Sequence, residues 1–362
     1  MSTALTGPAS GLGHNMQTGV LAALNEVNNR GGVGGREICL VTLDDGYEPA
    51  RTAPNIISLI EHHKALALIG NVGTPTAVVT IPFANRYKIP FFGAYSGAGI
   101  LRKNPPDRYV INYRASYAEE TAAMVKALIT KVGLAPEDIA FFTQRDAYGD
   151  AGYFGGIAAL KQYGLKNENR IAHGRYERNT LAVGNALADL LMAETLPRAV
   201  IMVGAYAPCA EFIRFARKVG FNPYFLNVSF VGTEGLIKAL GDNAEGVLIT
   251  QVVPDVESDL PIVKDFRKAL RSWKREEPPT FGALEGYIST RIFLRALGNI
   301  AEAPDREAVV DALENLGKFD VGLGEPLFLS KADHQASHTV WATIIRKGRA
   351  VPLDWGKITD KQ

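Results

Sequence analysis

The residues best placed to do chemistry lie in two short turns. Gly70-Asn71-Val72-Gly73-Thr74-Pro75-Thr76 follows the apolar run Ala65–Ile69, and Gly93-Ala94-Tyr95-Ser96-Gly97-Ala98-Gly99 follows Ile89–Phe92. Each turn offers a hydroxyl, Thr74 or Ser96, among small residues whose backbone N–H groups are open to close approach. Hydroxyls beside free amides at a helix start suit a carboxylate. The same residues would also serve as ordinary strand-to-helix connections, with glycines that supply only positive φ.

The elements around the turns decide what they can do. Thr76–Tyr87 has the character of a helix, so the order is strand, turn, helix, strand, turn: a βαβ unit with a parallel pair. Both turns then fall at the carboxyl ends of parallel strands, the edge where open α/β sheets bind ligands. Upstream, a helix is expected over Asn15–Asn29, with Met16, Val20, Ala23, Leu24 and Val27 at helical spacing and a stop at Gly31-Gly32. A strand is expected over Glu37–Leu43, a helix over Pro49–His63 and a short strand over Tyr109–Tyr113. From Tyr117 a second series alternates helices (Glu119–Lys131, Ala151–Tyr163, Val183–Glu194, Cys209–Val219) with strands (Asp138–Phe142, Arg170–Tyr176, Ala199–Val203, Tyr224–Val228). Val247–Val253 adds a strand, Asp259–Arg275, Leu284–Ile300 and Asp305–Leu316 add helices, and Thr339–Arg346 alternates like an antiparallel closing strand. Two βα series, each long enough for its own sheet, imply two α/β domains. No Pro/Ser-rich linker separates them, which implies that the chain crosses between them more than once.

Composition excludes several classes. A chain of 362 residues suits about two domains. A net charge of +1 argues against a nucleic-acid groove, which needs clustered Lys and Arg. No run of 18 apolar residues is present, so no membrane insertion is expected. The 2 cysteines, Cys39 in an apolar segment and Cys209 near a helix start, read as two buried free thiols, with a bridge left open; neither has the spacing of a zinc site. The glycines of Gly31–Gly35 follow a helix and precede a strand, the reverse of a dinucleotide fingerprint. With 6 scattered histidines, no HExxH and no Ser–His–Asp order, neither an enzyme nor a cofactor or metal is expected. Met1-Ser2-Thr3-Ala4 lacks the basic start and apolar core of a secretory leader, so the expectation is a cytosolic protein or the mature form of an exported one.

Several stretches together resemble the Leu/Ile/Val-binding protein family, the type I periplasmic solute-binding proteins of ABC transporters. They are Gly7-Pro8-Ala9-Ser10-Gly11, the run from Asn25 to Arg36, Leu43-Asp44-Asp45, Ile69-Gly70, Ile89-Pro90-Phe91-Phe92, Asp146-Ala147-Tyr148-Gly149, Ala216–Gly220 and Glu245-Gly246-Val247. The likeness follows nearly the whole chain in order. It implies a type I periplasmic-binding-protein fold: two doubly wound α/β lobes joined by three crossings, near Asn112–Ser116, Ile249–Val253 and Glu325–Ser330. Lobe one would be 1–114 with 251–327, and lobe two 115–250 with 328–362.

The resemblance also implies a small-molecule carboxylate ligand held in a cleft that closes by a hinge, a permease as partner, and a periplasmic location of the mature form. The family's carboxylate-binding hydroxyl falls on Thr74, with Asn71 and Gly73 in the same turn. Its second polar turn falls on Tyr95, Ser96 and Gly97. Tyr148 and Tyr206 match lobe-two ligand contacts, Leu12 a loop contact, and Phe281 the far end of the pocket. At the place of the acid that pairs with a ligand ammonium stands Ser229, with Glu234 and Glu285 as other acids that would have to reach in. An amino acid and an amine-free acid, aromatic or otherwise, therefore both stay open. A ligand-sensing receptor domain of a signalling protein is the alternative function.

Overall fold

The computed structural model describes residues 1–301 and 303–358. The chain divides into two units, 1–114 with 253–338 and 115–252 with residues from 339 onward, so the backbone passes between them three times. The third passage follows residue 338, whereas the expected boundary lay after 327. Hydrogen bonds explain the difference: Asn112 N donates to His334 O (2.7 Å), Ala336 N to Asn112 O (2.9 Å) and Ser337 N to Tyr113 O (2.8 Å), which ties the 334–337 segment to the first unit.

In chain order the first unit begins with β1 (Ser2–Thr3), α1 (Ser10–Asn28), β2 (Leu43–Asp44), α2 (Pro49–Glu61), β3 (Leu68–Ile69), α3 (Thr74–Arg86), β4 (Phe91–Phe92) and β5 (Val110–Ile111). The second contains α4 (Tyr117–Thr130), β6 (Ile139–Gln144), α5 (Ala147–Gln162), β7 (His173–Tyr176), α6 (Gly184–Leu191), β8 (Ala199–Val203), α7 (Tyr206–Lys218), β9 (Tyr224–Asn227), α8 (Thr233–Leu240) and β10 (Leu248–Gln251). The chain returns to the first unit for α9 (Pro261–Trp273), α10 (Phe281–Gly298), α11 (Arg306–Glu314), β11 (Gly317–Phe319) and β12 (Leu327–Leu329). It closes the second with β13 (Trp341–Arg346) and β14 (Arg349–Pro352).

In the first unit β3, β4 and β5 form a parallel set, and β1 pairs with β2, also in parallel. The helix α1 lies against α10 at backbone distance, because a Cβ on Gly19 would sit 1.8 Å from Ala283 O. It starts at Ser10 rather than Asn15: Gly13 belongs to its first turns, where a Cβ would meet Ala4 O at 1.9 Å.

The expected strand over Glu37–Leu43 is reduced to Leu43–Asp44. The carboxamide of Asn28 accepts from Ile38 N (3.0 Å) and donates to Ile38 O (2.9 Å), so it takes the backbone groups that a ladder would use. Cys39 on that stretch is exposed, not buried as expected, while Cys209 is buried; both thiols are free.

The second unit is a seven-stranded sheet in the order β14-β13-β10-β9-β8-β6-β7. It is parallel except for β13 and β14, which are antiparallel as the alternation over Thr339–Arg346 implies. Its core centres on Phe142, whose ring stacks on Tyr176 (5.1 Å between centroids) and packs on Phe212 (4.2 Å). Burying such side chains stabilises by roughly 1.5–3 kcal/mol each. The helix α8 and the β11–β12 hairpin had no counterpart among the sequence expectations.

One feature of this sheet predicts a pH dependence. His173 stacks on Tyr153 at 4.1 Å, and its Nε2 lies 2.7 Å from Thr143 Oγ1. Burial, then Arg175 and Arg145, push its pKa down from 6.5 to about 4. The neutral ring is the form the fold favours. Its stabilisation is complete above pH 6.5 and is lost as the pH falls toward 4, on the order of 2 kcal/mol. Urea midpoints measured from pH 7.5 to 4.5 should show this loss, and a His173→Phe variant should flatten it.

Candidate functional site

In the first unit the two turns lie side by side at the carboxyl end of the parallel strands. Val72 and Tyr95 form a parallel bridge; Tyr95 N donates to Asn71 O (2.9 Å) and Gly73 N to Tyr95 O (3.2 Å). This register brings Thr74 Oγ1 to 2.7 Å from Ser96 Oγ, and both residues are fully buried. Gly73, at φ +104°, is the N-cap of α3, with Thr74 at its first helical position and Pro75 at the second. The first intrahelical bond is Ala77 N to Gly73 O, so the amides of Thr74 and Thr76 precede the helical pattern. Their partial positive charge adds to that of the helix terminus. Ser96 Oγ also accepts from Ala98 N (3.3 Å). Two hydroxyls and first-turn amides in one buried patch can take the oxygens of a carboxylate.

The neighbours of this patch are also set by the fold. Asn71 turns its carboxamide oxygen to Ser2 N (3.1 Å), so that side chain braces β1. The ring of Tyr95 carries the Arg114 guanidinium at 5.2 Å. Glu285 faces the same guanidinium, with its oxygens 3.4 and 3.5 Å from Arg114 Nη1. Glu285 therefore answers a cation of its own unit, and both members of the pair are buried. Thr280 caps α10 by accepting from Ala283 N (3.1 Å), which places Phe281 at the helix start; a Cβ on its neighbour Gly282 would lie 3.5 Å from Tyr95 Oη. Leu12 is buried on α1.

In the second unit Ser116 caps α4 in a capping box with Glu119, which fixes the start of the helix that carries Tyr117 and Glu120. Asp146 caps α5 by accepting from Tyr148 N (3.0 Å). Tyr148 lies fully buried against Tyr117 (5.2 Å) and Phe230 (4.6 Å), and donates its hydroxyl proton to Gly204 O at 3.3 Å. Tyr206 opens α7, its ring against α8, where a Cβ on Gly235 would come within 2.8 Å of it.

Ser229 donates its amide (2.7 Å) and its hydroxyl (2.9 Å) to Glu120, which also accepts from Thr250 Oγ1 (2.5 Å). Glu120, Tyr117 and Phe230 are the residues that reading by sequence passed over. The one available signal was an acid at helical spacing from Tyr117, on a face otherwise made of Thr121, Met124 and Val125. Glu234 stands in the first turn of α8. Among the described residues, no group of three or more His, Cys, Asp and Glu side chains is arranged to hold a metal, and no helix is long and apolar enough to cross a membrane.

Comparison with known proteins matches residues 1–350 to the family described as periplasmic binding protein. Leu/Ile/Val-binding protein homolog 7 of Brucella abortus (strain 2308) is 25% identical over 357 residues, covering 92% of this chain and 85% of its own length. The Leu/Ile/Val-binding protein of Escherichia coli (strain K12) is 23% identical over 296 residues, 77% of this chain and 73% of that protein. A crystal structure of a possible leucine/isoleucine/valine-binding protein from Rhodopirellula baltica SH 1 is 52% identical, covers 99% of this chain and 96% of its own, and superposes with a TM-score of 0.97.

Proposed function

Because this chain belongs to the periplasmic binding protein family, we propose that it captures a small carboxylate-bearing ligand by hinge closure and hands it to the permease of an ABC transporter. The ligand class is a branched-chain or other amino acid, or an aromatic or other organic acid. The protein binds its ligand without turning it over, and works on the periplasmic or extracellular side in its mature form. The observation that carries this reading is the buried Thr74–Ser96 hydroxyl pair, 2.7 Å apart at the start of α3. Hydroxyls and first-turn amides at a helix start favour an anion.

Within the second unit, Tyr117, Tyr148 and Phe230 form a buried aromatic set, and the Glu120 carboxyl group lies beside Ser229. An acidic side chain beside Ser229 supports keeping ammonium-bearing acids within the ligand class.

Titration calorimetry with L-leucine, L-isoleucine, L-valine, L-phenylalanine and phenylacetate tests the reading. At least one is expected to bind, and Thr74→Ala is expected to weaken it by about 1–3 kcal/mol. Binding of none of them, or unchanged affinity in the variant, would sink the assignment.

A further inference from the structure

We propose that Arg102 is a positioning residue that sets how strongly a carboxylate is preferred over the corresponding amide. This rests on the carboxylate reading of the first-unit turns. Arg102 follows a short helical turn, Gly99–Leu101, directly after the Ser96 turn. Its Nη1 donates to Ser96 O and to Ala98 O, both at 3.1 Å, and its Nη2 donates to Arg114 O at 2.9 Å. One planar fork therefore ties two carbonyls of the turn to the last residue of the first passage through this unit. Asn112 strengthens the same junction by donating Nδ2 to Leu101 O (2.7 Å).

The consequence follows from peptide geometry. A trans peptide is planar, with its C=O and N–H pointing in opposite directions. Holding the Ser96 carbonyl on the guanidinium thus aims the Gly97 N–H away from Arg102, and holding the Ala98 carbonyl does the same for Gly99. The Ser96 hydroxyl meanwhile meets Thr74 Oγ1 at 2.7 Å. A fixed N–H donates to a carboxylate oxygen and repels the NH2 of an amide. Glycine at position 97 would let the Ser96–Gly97 peptide rotate if nothing held it, and a rotated peptide would offer an amide its carbonyl. Arg102 blocks that rotation and adds a full positive charge at the turn. Lysine at 102 would keep the charge but not the planar fork that grips three carbonyls.

The test is calorimetry on the full chain with acid and amide pairs: L-leucine and L-leucinamide, L-phenylalanine and L-phenylalaninamide, phenylacetate and phenylacetamide. The wild type is expected to bind the acid of at least one pair far more tightly than its amide. In Arg102→Ala the acid-to-amide affinity ratio should fall by about tenfold or more, mainly through weaker acid binding, and Arg102→Lys should fall most of the way. A merely structural role would weaken both members of a pair together, so an unchanged ratio in Arg102→Ala overturns the proposal, as does a wild-type ratio in Arg102→Lys. If the wild type prefers no acid over its amide, the carboxylate reading itself fails and takes this inference with it.

Discussion

Replacing Gly73 by alanine is expected to cost about 3–5 kcal/mol of stability and to remove ligand binding in the same step. Two physical effects add. Gly73 holds φ +104° and ψ 152°, a region that residues with a side chain rarely adopt. A Cβ there would also lie 2.1 Å from Tyr47 Cε2 and 2.8 Å from Cδ2. Tyr47 has little room to yield: it is buried, and its amide is fixed on Asp45 Oδ1 at 3.0 Å. The strain falls at the N-cap of α3, so relieving it would tilt the first turn and separate Thr74 from Ser96. Urea midpoints report the stability change and calorimetry the binding. A Gly73→Ala protein with wild-type midpoint and affinity would show that this turn is neither strained nor part of the site.

Glu120→Ala is expected to destabilise the second unit by about 3–5 kcal/mol. The carboxylate is fully buried and accepts from Ser229 N, Ser229 Oγ and Thr250 Oγ1. Alanine would leave those donors in a space from which water is largely excluded, and an unsatisfied buried donor costs about 1–3 kcal/mol. The Thr250 hydroxyl has a second, longer acceptor in Asn227 O at 3.4 Å, so it would recover part of its loss. The Ser229 amide is held in place by the 229–231 turn. Glu120→Gln retains one acceptor oxygen and should cost less than alanine. Midpoints in the order wild type, Gln, Ala are therefore expected; equal midpoints for wild type and Ala would mean that Glu120 does not organise this end of β9 and β10.

How far this protein could be read from its residues depends on the range of the interaction. The βαβ unit between Ala65 and Gly99 was legible because apolar runs, a helix-compatible stretch and glycine-rich turns are local signals. The resemblance to Leu/Ile/Val-binding proteins added the order of the pieces. The placing of Thr74 and Ser96 at strand ends follows from that local pattern. Their meeting at 2.7 Å does not: it requires the parallel register of β3 and β4 and the Val72–Tyr95 bridge.

The failures have the same origin. Ile38 has the apolar character of a strand residue, yet the Asn28 carboxamide, ten residues earlier, claims its backbone and leaves Cys39 exposed. The sequence offers Glu234 and Glu285 as acids that would have to reach in, whereas the acid bonded to Ser229 is Glu120, 109 residues upstream.

The sequence by itself determined that two βα series exist, where most of their strands and helices lie, and which small polar turns cap them, because hydrophobic period, glycine and proline act over a few residues. Only the tertiary structure decided which distant side chains meet. The Arg114–Glu285 pair and the Glu120 cluster each join chain segments whose proximity is set by strand order and helix packing, and no local pattern encodes that proximity.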